Sequence, residues 1–141
     1  MHSSSDAFDI VPAEIARFER CWLLALTLNA FVGVLVLPRT AGELGLLTAV
    51  LANLSLFAVG ALLMLQVCRG SNGARWVLAL PFNSVLALFD VSQWVGLPAH
   101  GPDAMVIPLH LGAAIYATFW LFAPACREWF AGTAAWRARQ A

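Results

Sequence analysis

The sequence has no lysine and little charge of any kind: eight arginines balance eight acidic residues, and charged side chains make up 11% of the chain. Without lysine there is no Schiff-base chemistry and no phosphate-gripping lysine of a P-loop. With zero formal net charge there is no long-range field to draw in nucleic acid or an anionic substrate. Cysteine is scarce, and Cys21, Cys68 and Cys126 form no CxxC, which excludes a disulfide-forming quinone oxidoreductase. No GxSxG, HExxH, P-loop or dinucleotide-type GxGxxG is found. Alternation in blocks of about ten residues is also missing, so a transmembrane β-barrel is not expected.

What the chain has is grease. Hydrophobic residues reach 61% and the mean hydropathy is +0.78, where soluble domains average about 45–50% apolar. Apolar runs fall at Cys21–Leu37, Leu44–Val67, Trp76–Leu97 and Ala104–Ala123. Each approaches the ~20 residues a helix needs to cross a bilayer. The first is short, and the segment before it is read as the start of the same helix. Pro38 with Gly42, then Gly70-Ser71-Asn72-Gly73, then Pro98 with Gly101-Pro102 separate the runs. The expected fold is all-α: an integral membrane bundle of four transmembrane helices.

Arginine placement gives a topology. Arg17, Arg20, Arg69, Arg75, Arg127, Arg137 and Arg139 fall on one side of such a bundle, and Arg39 alone on the other. The positive-inside rule then puts both termini in the cytoplasm. No basic region leads the chain, and Leu37-Pro38-Arg39 lacks a small-x-small cleavage site, so the first run reads as an uncleaved anchor. Residues 1–11 are polar and Ser-rich, as expected of a disordered tail. Residues 12–126 form the membrane domain, and 127–141 a cytoplasmic interfacial tail. Pro12 suits a first helical position after a cap at Asp9 or Ile10. Ile15, Phe18 and Trp22 then recur at helical spacing, an amphipathic lead-in. Trp22, Trp76, Trp94, Trp129 and Trp136 fall near membrane boundaries.

The third run carries the polar groups. A helix turns about 100° per residue, so Asn83 and Asp90 point within about 20° of each other and Gln93 about 80° from Asn83. Ala87 and Trp94 share that side. A carboxylate in hydrocarbon costs roughly 2.5–3.5 kcal/mol, so Asp90 should face protein rather than lipid. His110 lies on the fourth run at about the same depth below the outer boundary, across a short loop, and the two could pair. That pair is either a proton relay or cation site, or a structural clasp in which Gln93 completes the hydrogen bonds. Asn29, Asn53 and Asn83 read as interhelical hydrogen-bonding groups, with Asn29 and Asn83 in one layer. Pro81 should kink the third helix and free the carbonyl of Val77. Pro108 belongs to a first helical turn, and Pro124 stops the fourth run.

Three thiols at the cytoplasmic level do not make a metal site without a fourth ligand, and neither His2 nor His100 with Asp103 completes one. One intramembrane histidine cannot supply bis-His haem ligation. No cofactor and no metal are expected.

The run Gly73-Ala74-Arg75-Trp76-Val77-Leu78 resembles the G-x-x-W-A-R entry of many small bacterial four-helix inner-membrane proteins. The stretch Leu121-Phe122-Ala123-Pro124-Ala125-Cys126-Arg127-Glu128-Trp129-Phe130 is similar to their F-S-P-x-x-R-x-W-F close. Ala-Arg-Trp stands here for Trp-Ala-Arg, and Ala123 for Ser. The resemblance, over the second half of the chain, implies a fold and a compartment, the bacterial inner membrane.

The expected role is non-enzymatic: an accessory subunit binding another membrane protein or itself, or an immunity-type protein against a membrane-directed toxin. The alternative is a small oligomeric transporter or channel lined by Asn83, Asp90, Gln93 and His110. A membrane enzyme using Asp90 and His110 as acid and base is the third class.

Overall fold

The computed structural model describes residues 11–95 and 103–139. Positions 1–10, His2 and the Asp9 or Ile10 cap among them, lie outside that range, as do Pro98, His100, Gly101 and Pro102. The side chain of Asp103 is also outside it.

Helix α1 spans Ala13–Leu44, and its 32 residues give a rod of about 48 Å at 1.5 Å per residue. The amphipathic lead-in and the first apolar run are thus one helix. Its buried side runs from Ile15, Phe18 and Trp22 through Asn29 and Val36 to Thr40. Pro38 and Gly42 do not end it. Pro38 deletes one backbone bond but keeps its ring on the exposed side, and packing of Val36 and Thr40 holds the helix on either side of it. The chain reverses instead at Gly45, whose φ of 84° is a conformation glycine adopts without strain.

Helix α2, Leu46–Cys68, returns along α1. Gly70 (φ 80°) turns the chain next, and a Cβ there would lie 2.6 Å from the Thr133 methyl. Ser71 caps the following helix by accepting the Ala74 N–H at 3.3 Å. Helix α3 covers Asn72–Val95. Pro81 does not kink it sharply: Leu78–Phe82 widens into a π turn, in which the Asn83 N–H reaches back to the Leu78 carbonyl. Helix α4 is Asp103–Trp120 and α5 is Pro124–Ala138, bent by 66° from α4. Pro124 occupies the first turn of α5, so the same residue that cannot continue α4 starts its successor.

Among the described residues the secondary structure is helical, with no strand. Three helices are long and apolar enough to cross a membrane, and four if α4 and α5 count as one broken span. Helix α1 is the centre, between α2 and α4, and α3 closes against α4. The main core joins Phe18, Trp22, Met64, Leu78, Phe82 and Phe130. Trp22 is drawn into this core rather than turned outward. It is 1% exposed, stacks on Phe18, and donates its indole N–H to the Gly60 carbonyl at 3.2 Å. Gly60 leaves the room for this approach, since a Cβ there would meet Leu26 at 3.1 Å and Phe82 at 3.2 Å.

Helix α2 buries only Ala49, Gly60, Met64 and Val67, and turns leucines such as Leu47, Leu54 and Leu62 outward. Soluble monomers rarely expose contiguous apolar surface of this kind, and hydrocarbon is the solvent it suits.

The arginine-rich segments meet at one end. Arg17 sits 4.9 Å over the Trp120 ring, and Arg137 donates to the Arg69 carbonyl. Arg75, 7% exposed, lies against Trp76, Phe122 and Phe130 and reaches the Leu121 carbonyl at 3.5 Å, bracing the α4–α5 elbow. Arg39 lies at the far end, paired with Glu43 at 3.3 Å.

A buried carboxylate–imidazole pair as the candidate functional site

Helices α3 and α4 run antiparallel in one register, marked by four contacts: Trp94 Nε1 to Ala104 O at 3.2 Å, Asp90 to His110, Asn83 to Thr118, and Trp76 against Phe122. From the last residue of the π turn onward, α3 buries Phe82, Leu86, Asp90 and Gln93 at spacings of three and four residues. Helix α4 buries Ile107, His110, Ala114, Ala117 and Thr118 with the same rhythm, and Leu121 just past its end is buried too. These are the faces on which helical periodicity stacks side chains. Trp94, placed on the polar side by its spacing, is exposed instead.

Asp90 Oδ2 lies 2.9 Å from His110 Nδ1, and each residue is 1% exposed. Cys21 and Tyr116 apart, they are the only ionisable side chains in the described apolar stretches between Arg20 and Arg39, Leu46 and Gln66, Trp76 and Val95, and Ala104 and Ala123. Two proton arrangements satisfy this contact: an imidazole N–H donating to a carboxylate, or a carboxylic O–H donating to Nδ1. The second oxygen, Oδ1, is buried without a hydrogen-bond partner.

Gln93 is buried close by but does not complete the pair. It is its backbone carbonyl that is engaged, accepting from Arg39 Nη1 at 3.2 Å. The site can hold one proton between a carboxylate oxygen and a ring nitrogen, out of contact with solvent.

Asn83 donates from Nδ2 to Thr118 Oγ1 at 2.9 Å, and the Thr118 hydroxyl donates to the Ala114 carbonyl at 2.8 Å. Asn83 thus joins α3 to α4 and makes no bond to Asn29. Thr118 escaped the sequence reading. Antiparallel counting signals it: seven residues back from Asp90 is Asn83, and seven or eight on from His110 is Ala117 or Thr118.

Asn29 and Asn53 lie elsewhere, on a groove between α1 and α2. Asn53 bonds back to its own helix, Nδ2 to Ala49 O at 2.9 Å, with its amide oxygen against Gly33.

Cys21, Cys68 and Cys126 all pack on the main core, yet among the described residues no three His, Cys, Asp or Glu side chains converge as a metal site would require. Burial, with a smaller contribution from Glu14, pushes the Cys126 thiol up to about 11. Its Sγ donates to the Trp120 carbonyl at 3.4 Å. Thiolate is the reactive form, so in folded protein at pH 8 Cys126 should take up maleimide at least about tenfold more slowly than half-buried Cys21. Single-cysteine variants give the rates, and unfolding should bring them together.

Comparison of the chain with known families, curated proteins and solved structures finds no match.

Proposed function

We propose that this protein is a non-enzymatic, multi-pass bacterial inner-membrane protein with its arginine-rich end and both termini in the cytoplasm. In this reading it acts as an accessory subunit, or an immunity-type protein, that binds another membrane protein. The observation that carries it is how the polar groups are used. Asp90 and His110 bond to each other inside the bundle, while α2 leaves an apolar side open along its length. Small and apolar faces are what helices in a bilayer use to associate.

The test is native extraction followed by mass spectrometry. A stoichiometric membrane partner that stays bound in the Asp90→Asn variant supports the reading. A chain that is monomeric or only self-associated in every gentle detergent argues against it.

One observation favours transport as a second reading. The unbonded Asp90 Oδ1 shares the α3–α4 seam with Asn83 and Thr118, about 10 Å away at 1.5 Å per residue. Proton-coupled uptake into vesicles holding the protein alone, lost in folded Asp90→Asn, would favour it over the accessory role.

A further inference from the structure

Between α1 and α2 lies a cavity of about 330 Å³. Its walls are apolar, Val34, Leu37, Leu54 and Phe57 among them, and only Asn29 and Asn53 bring polar atoms to it. The α1 wall runs from Asn29 to Leu37, about 12 Å at 1.5 Å per residue, a length that suits a fused ring system or a stretch of hydrocarbon chain.

The two other interior asparagines are used: Asn53 bonds to Ala49 O and Asn83 to Thr118 Oγ1. Asn29, although only 7% exposed, makes no side-chain hydrogen bond among the described residues. The Asn29 amide opens onto the groove, where a bound acceptor atom would supply the hydrogen bond that hydrocarbon cannot. An apolar pocket with one or two placed polar groups is the usual form of a small-molecule site.

We infer that this groove binds a lipid-soluble molecule whose flat apolar body carries a carbonyl oxygen, of the quinone type, with the Asn29 amide donating to that oxygen. Gly33 helps shape the floor, since a Cβ there would lie 2.8 Å from Asn53 Oδ1. The inference is independent of the accessory role, because it concerns a ligand from the bilayer and not a protein partner.

The experiment uses the full chain in phosphatidylcholine nanodiscs, with menadione as probe and methylnaphthalene, the same ring system without carbonyls, as its match. Menadione retained in loaded discs beyond that in empty discs should saturate near one per chain. Asn29→Leu should weaken it about tenfold. Ala30→Phe, a change on the exposed rim that fills the groove, should abolish it with helical content intact.

Equal retention in loaded and empty discs overturns the inference. So does methylnaphthalene binding as tightly as menadione, or binding indifferent to Asn29→Leu and Ala30→Phe. Those results would leave a groove filled by lipid chains only.

Discussion

Replacing His110 with leucine should cost about 3–5 kcal/mol of stability, the scale for removing one partner of a buried pair. The side chains are similar in size, so the loss is electrostatic rather than a cavity. Asp90 Oδ2 loses its 2.9 Å contact while Oδ1 already has none, leaving a carboxyl group with no hydrogen bond inside the bundle. Asp90→Asn should cost far less, about 1 kcal/mol, because an amide of the same shape can still meet Nδ1.

The double variant Asp90→Leu with His110→Ala, which keeps the combined volume near that of the pair, should recover most of the loss. Apolar replacements of buried ionic pairs are often neutral or stabilising. Reversible unfolding in mixed micelles measures all four proteins. If His110→Leu costs no more than the roughly 0.6 kcal/mol typical of a hydrogen bond between membrane helices, the pair is an ordinary contact and the electrostatic argument fails.

Trp22→Ala should be as damaging, about 3–5 kcal/mol, through a different mechanism. The indole is 1% exposed and touches Phe18 and Phe82, so truncation opens a cavity where α1, α2 and α3 meet. Trp22→Phe separates the two contributions. It retains most of the packing and loses only the N–H bond to Gly60 O, so it should cost about 1 kcal/mol. Both losses are read from the same unfolding curves. A Trp22→Ala protein as stable as wild type would mean that the indole does not hold α1 against α2 and α3.

That tryptophan shows where the sequence is legible and where it stops being so. Hydropathy finds the apolar helices because length and composition alone decide whether a segment can span. Counting residues from the span ends brings Asp90 level with His110, because two straight antiparallel helices joined by a short loop keep their register. Helix α1 defeats the same arithmetic. Its apolar run begins at Cys21, but the helix begins at Ala13 and pairs with α2 all the way to Gly45, so Trp22 lies inside the packing.

Pro38 and Pro81 look alike in sequence. Both rings face outward, yet one leaves α1 continuous and the other opens a π turn, a difference the residue type does not announce. Helix α5 is mixed in polarity, and what seats it is tertiary: Phe130 is buried in the core and the Thr133 methyl packs against Gly70. Asn29 illustrates the same limit. Spacing places it on the inner side of α1, but cannot say whether its partner is Asn83 or the α1–α2 groove.

The most direct measurement is a solid-state NMR dipolar distance in lipid bilayers between the Asp90 carboxyl carbon and His110 Nδ1, isolated as the difference from Asp90→Asn. Strong dephasing is expected, as the 2.9 Å oxygen–nitrogen contact requires. Identical spectra from the two proteins, with the carboxyl carbon instead showing transfer from lipid acyl chains, would contradict it.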